Sequence, residues 1–249
     1  MNGNRRTAVI AGVLFIIATV ANIISRVGFL TPVLGAPDVL TGVAANESRV
    51  LMGALLLLVG AVAASGIAIA LYPVLRPWDH ALAIGSVGFR LIEGAFYLGI
   101  VVCLLILVAL GREAAQSGAA ASPAYEASAS LVMAGRDALG QVGVLVFGLG
   151  ALMYYSVFYR SRVVPRWLSA WGLLAIASVM ASGVLVIAGV IQPMSPPQVV
   201  LALPIGVQEM VLAVWLIAKG FRPVRETTLE AGPAATVTPR ATGAPAAAR

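Results

Sequence analysis

The chain of 249 residues is 60% hydrophobic and only 10% charged, with a formal net charge of +6, and its mean hydropathy is +0.98. Soluble domains carry roughly 25% charged residues, so these proportions exclude an ordinary water-soluble globule. They predict an all-α polytopic integral membrane protein, a bundle of six transmembrane helices that each satisfy their own backbone in lipid. The cations stand in short runs beside apolar segments, where positive charge records topology. A lipid bilayer is therefore the expected partner, and nucleic acid is not.

Arg5 and Arg6 precede an apolar run that predicts a first span over 7–25, long enough to cross a core of roughly 30 Å. Ala18-Thr19-Val20-Ala21 has the small residues of a cleavage site, but the run continues through Ile23 and Ile24, as a span does and a signal peptide does not. Thr19, Asn22 and Arg26 share one face near its far end. Breaker residues, among them Pro32, Gly35 and Pro37, make Val27 to Arg49 an expected external loop.

The second span, 50–75, carries Gly53, Gly60, Ala64, Gly66 and Ala70, which let membrane helices approach closely and predict a central position. Arg76 to His80 is a tight turn in which His80, the only histidine, is expected to be solvated. The third span covers 81–110, and Gly111 to Ser130 is expected to be a second external connection, partly helical. Span four, 131–159, opens on a polar cluster of Arg136, Asp137 and Gln141 at the outer boundary, and Gly140, Gly143 and Gly148 predict close packing. After the basic turn Arg160 to Arg166 come a fifth span over 166–191 and a sixth over 199–218. Residues 1–221 thus form one transmembrane domain, and 222–249, without apolar periodicity, a disordered cytoplasmic tail.

One stretch within these spans is polar. Arg90 and Glu93 lie three apart on one helix face, with Ser86 a turn before and Tyr97 a turn after. Glu209, beside Gln208, lies near the middle of the sixth span. An unpaired charge costs at least about 2.5 kcal/mol on insertion scales, so these side chains must face other helices or a wet cavity. A polar centre between the third and sixth helices is the expected arrangement.

A single His and a single Cys, Cys103, exclude an ordinary zinc site and a bis-histidine haem within the chain. Lys219 follows Ala218 rather than Gly, so no phosphate-binding loop is present. No metal and no cofactor are expected. Arg90, Glu93, Glu209, Gln208, Tyr97 and Ser86 then stand as substrate- or ion-binding candidates, in a small transporter or proton-coupled carrier. In a non-catalytic membrane scaffold or sensor partner the same charges are structural. An intramembrane enzyme would use Glu93 or Glu209 as general base on a lipid-like substrate. A polar cavity on the Glu93 face favours the first reading, a dry interface the second and a sideways-open apolar cavity the third; a homo-oligomer or another membrane partner is compatible with all three.

Arg6-Thr7-Ala8…Ala11-Gly12, Phe89-Arg90-Leu91-Ile92-Glu93-Gly94 and Glu209…Trp215-Leu216-Ile217-Ala218-Lys219-Gly220-Phe221 resemble the motifs of a bacterial family of six-helix membrane proteins known as domain of unknown function 4386. The resemblance covers about Arg5 to Phe221. It implies the six-helix architecture, singles out Arg90, Glu93 and Glu209, and implies no activity.

Eleven of the cations, from Arg5 and Arg6 through Arg76, Arg160, Arg162, Arg166, Lys219, Arg222, Arg225 and Arg240 to Arg249, fall on one side of such a membrane, against Arg26, Arg49 and Arg112 on the other. Both termini are thereby expected in the cytoplasm of a cell-membrane protein. Reporter fusions after Gly220 and within Arg160 to Arg166 should register as cytoplasmic, and one within 117–122 as external; a periplasmic signal after Gly220 would remove a span.

Overall fold

The computed structural model describes residues 3–118, 122–193 and 195–222. The expected disordered tail lies, beyond Arg222, outside the described residues. Helix α1 (Gly3–Ile23) passes through a π-helical segment, Ile24–Leu30, into α2 (Thr31–Leu34). After a turn come α3 (Val39–Ala45), α4 (Glu47–Leu75), α5 (His80–Ser117), α6 (Pro123–Ser161), α7 (Arg166–Ile187) and α8 (Pro196–Ala218). No strand occurs among the described residues. Among the described residues six helices are long and apolar enough to cross a membrane: Asn4–Leu34 and the five from α4 to α8.

The expected loop after the first span is mostly helix. Arg26 does not end α1, because the helix widens into the π turn around it, and the buried Ser25 hydroxyl donates to the Gly53 carbonyl at 2.7 Å. Pro32 falls in the first turn of α2, where a missing N–H costs nothing. The Asp38 carboxylate accepts from the Thr41 N–H at 3.0 Å and starts α3.

The second expected connection is likewise mostly absorbed. Its alanine-rich sequence favours helix, so α5 continues to Ser117, stopping at Gly118 with a φ of 67° that glycine adopts freely, while α6 starts with Pro123 in its first turn. At 38 and 39 residues, these helices run roughly 57 Å, well beyond a 30 Å core. Helix α7 ends four residues before its expected limit, and α8 begins three residues early on its proline pair.

Each long helix packs on the next in sequence, and α8 closes on α1, so the bundle is a ring with its neighbours antiparallel. The first helix thus begins and the last one ends at the same end, with Arg76, Arg160, Arg166 and Lys219; this is the basic end. Half of the apolar window of α4 is buried, the largest share of the six, in keeping with its many small residues.

Two apolar cores sit at opposite ends. At the basic end Phe15, Leu71, Tyr154, Tyr155, Phe158 and Leu212 are all at most 1% exposed. At the far end Leu34, Leu40 and Val43 cover Leu57, Leu104 and Leu107. The ring is fastened at the basic end by Arg5, whose guanidinium donates to the carbonyls of Leu216 at 3.2 Å and Ile217 at 2.6 Å. Carbonyls at the end of a helix run out of intrahelical donors, although that of Leu216 also accepts from the Gly220 N–H at 3.1 Å, and a cation suits the negative end of the dipole. Beyond them the chain turns at Gly220 (φ 72°) and the Arg222 N–H donates to the Val163 carbonyl at 2.9 Å.

Gly12 brings α1 onto α8: a Cβ there would lie 2.7 Å from Ile217 Cγ1 and 2.8 Å from the Ala213 carbonyl oxygen. Gly88 has nothing within 4 Å of the same position. Gly12→Ala should therefore lower the melting temperature in detergent, by an overpacking cost of about 1–3 kcal/mol, whereas Gly88→Ala should leave it unchanged or slightly higher. Equal melting temperatures would mean that α1 and α8 do not meet at Gly12.

Candidate functional site

The polar centre is built around one guanidinium. Arg90 on α5 is 3% exposed. Its Nη1 donates to Glu93 Oε2 at 3.0 Å, the contact that i,i+3 spacing allows. Its Nη2 donates to the Tyr154 hydroxyl of α6 at 3.0 Å and lies 3.5 Å from Glu209 Oε1 of α8. Phe147 stacks against its face with the ring centre 4.6 Å from Cζ. Gly150 lets α6 come this close, since a Cβ there would lie 3.1 Å from Phe89 Cβ.

Below Arg90, toward the basic end, the interior is filled by packed aromatic and aliphatic side chains. Tyr154 packs on Tyr155 with ring centres 4.5 Å apart, and both rings meet Phe158. The Tyr155 hydroxyl donates to Gln208 Oε1, and Gln208 Nε2 donates to the Leu168 carbonyl at 3.1 Å. Gly172 gives Tyr155 its room; a Cβ there would lie 2.4 Å from the ring. These contacts lock α6, α7 and α8 together.

Above Arg90 lies a cavity of about 230 Å³ lined by Arg90, Glu93, Tyr97, Glu209, Thr19 and Asn22 among others. A second cavity, of about 540 Å³, holds Arg136, Asp137 and Gln141 and reaches Thr31, Gly35 and Pro193 at the far end. Arg26, Ile100, Gly140, Val144 and Ala202 line both, so the two adjoin at that level. The charged centre thus lies beneath a second cavity that reaches the far end, and packed aromatic side chains separate it from the basic end.

Arg90, Glu93, Tyr97 and Glu209 converge on the inner cavity as their spacing implies. Ser86 and Gln208 do not: the buried Ser86 hydroxyl donates to the Ala83 carbonyl of its own helix at 2.8 Å, and Gln208 belongs to the aromatic lock. Helices α5 and α8 are not packed side by side as expected. They face one another across the ring interior, and the length of Arg90 bridges them.

Arg136 and Asp137 approach to 3.4 Å, and Gln198 donates to Gln141 at 3.3 Å. They line the outer cavity rather than a helix end, because α6 begins far ahead of them. Close packing holds at Gly148, whose missing Cβ would press on Met180, but Gly140 faces open space. Tyr154 and Phe147 were missed, since a tyrosine near the end of an apolar run reads as an interfacial anchor. The signal that could have found Tyr154 is Gly150 one turn earlier, which clears a path for a partner.

Glu93 and Glu209 both face Arg90, and among the described residues no third His, Cys, Asp or Glu joins them as a metal site would require. With all three groups ionised, the floor carries one more negative than positive charge. That arrangement can hold a proton or a cationic group.

Removing Arg90 would leave both acids without a counter-charge in an apolar setting. Arg90→Ala should cost about 3–5 kcal/mol, as breaking a buried pair does, and adding Glu93→Gln should recover more of the lost melting temperature than adding Glu209→Gln. Arg90→Lys should recover little, because a single ammonium cannot hold Glu93 and Tyr154 in a fork. A larger rescue from Glu209→Gln would make the contact across the ring the dominant one.

No curated protein and no solved structure matches the chain. A family model matches residues 10–220, which include the whole charged centre, the aromatic lock and the Gly12–Ala213 contact of α1 with α8, but not Arg5. The chain belongs to the family described as Domain of unknown function (DUF4386).

Proposed function

We propose that the chain is a multi-pass membrane protein with both termini in the cytoplasm, and that it works as a small proton-coupled carrier. The observation that carries this reading is the inner cavity on the Glu93 face: it joins charged groups from two helices, adjoins a second cavity that reaches one end of the bundle and is backed by packed aromatic side chains toward the other. A scaffold would need no such space. The basic end faces the cytoplasm, as positive charge does in membrane proteins, so the cavities face outward.

Glu209 is the group that switches. It keeps 14% of its side chain accessible against 3% for Arg90, and its link to Arg90 is the long one. It is faced by Arg90, Glu93 and Tyr97 from α5 and by Tyr154 and Tyr155 from α6, while α1 contributes Arg26 higher up. Adding a proton to Glu209 removes its attraction to Arg90, and α8 is then held to α5 by less.

The test uses a Cys103→Ala background in right-side-out vesicles. Gly140→Cys and Gly206→Cys, at positions with open space beside them, should react with a membrane-impermeant maleimide, and Ala151→Cys, fully buried below the centre, should not. Proteoliposomes with the unaltered chain should also dissipate an imposed pH difference faster than those with Glu209→Gln. Equal rates would leave the charges with the structural role of joining α5, α6 and α8.

A further inference from the structure

The inner cavity has unbalanced charge at both ends, of opposite sign. At its floor Arg90 Nη1 and Nη2 donate to Glu93 and Tyr154 while its buried Nε has no hydrogen-bond partner, and Glu209 meets the same guanidinium at 3.5 Å with an Oε1 that accepts no hydrogen bond, so two acids face one guanidinium. One carboxylate is therefore in surplus. At its upper limit, where the cavities adjoin, stands Arg26 on the π-helical segment. Its guanidinium makes no hydrogen bond or ion pair among the described residues, so one guanidinium is in surplus there. The wall between is chiefly apolar, from Phe96, Ile100, Val144 and Ile205.

The separation follows from the helices. Antiparallel α1 and α8 meet at Gly12 and Ala213; counting up from that contact puts the backbone of Arg26 roughly 15 Å farther along the bundle than that of Glu209. Both side chains reach into the cavity and shorten the gap to the order of an extended chain of about five carbons, whose ends lie roughly 7 Å apart.

We propose that the cargo of this cavity is an elongated zwitterion, with an ammonium group at Glu209, an anionic group at Arg26 and an apolar body between. The proposal rests on the reading of the cavity as a cargo site. A zwitterion neutralises both surpluses at once and adds no net charge to the interior, which makes it less costly to hold in apolar surroundings than either ion alone. The competing role for Arg26 is to extend its head to lipid phosphates at the membrane surface.

Three probes of one length separate these roles: 6-aminohexanoate, hexylammonium and hexanoate, each at the same concentration and ionic strength, with melting temperature in detergent as the readout. Binding to the folded state alone raises that temperature. For the unaltered chain 6-aminohexanoate should raise it by about 3 °C or more, and the two single-charge probes by clearly less. Glu209→Gln should reduce the shift by 6-aminohexanoate to that of hexanoate, and Arg26→Gln to that of hexylammonium. If hexylammonium or hexanoate matches 6-aminohexanoate in the unaltered chain, or if none of the three shifts it, the proposal is overturned. Should either variant fail to fold, the ranking of the probes on the unaltered chain decides alone. Maleimide labelling at positions 140 and 206 needs no ligand, so reactive cysteines with no probe effect would reject the zwitterion and leave the outward-facing cavity standing.

Discussion

A single guanidinium sets the terms for the interior of this bundle. Arg90 cannot be left unpaired in an apolar setting, and its fork geometry demands several acceptors at once. Glu93 supplies one from the same helix, Tyr154 one from α6, and Glu209 approaches from α8. Because those helices are not all neighbours, satisfying Arg90 holds the ring around a space instead of collapsing it. The packed aromatic layer below and the cavity above are the two sides of that constraint.

Much of this was legible in the sequence because it rests on local rules. Apolar length found the six long helices, i,i+3 spacing found the Arg90–Glu93 pair, and helical periodicity put Thr19, Asn22 and Arg26 on the face that lines the cavity. What escaped depends on tertiary context. Pro32 reads as a breaker but sits where a helix begins, and the alanines around 111–130 look like linker composition until the helix propensity of alanine and the partner α3 act on them. Gln208 looked like part of the centre by adjacency to Glu209, yet one step along a helix turns a side chain by about 100°. Ser86 shares the face of Arg90 but satisfies itself on its own backbone, an option open to any serine in a helix. No rule of spacing distinguishes a glycine that packs, such as Gly148, from one that opens a cavity, such as Gly140.

The family motifs divide into two kinds in the structure. Arg90, Glu93 and Glu209 lie at the cavity floor, whereas Ala8, Ala11, Gly12, Gly220 and Phe221 belong to the fastening of the first helix to the last. That fastening has its own logic: the final carbonyls of α8 find donors on Arg5, Gly220 turns the chain, and Phe221 meets Phe158 with ring centres 6.2 Å apart.

Closing a ring through its first and last helices also has a consequence for the order of manufacture. The chain is made from its N-terminus, so α1 exists long before the α8 surface that covers Ala8 and Ala11, and Arg5 has no carbonyls to meet until α8 has been made. Over that interval the nascent bundle is an open crescent whose two edges carry small residues and an unpaired charge. Assembly is complete only when the last helix arrives, which places a checkpoint for correct folding at the final helix of the bundle.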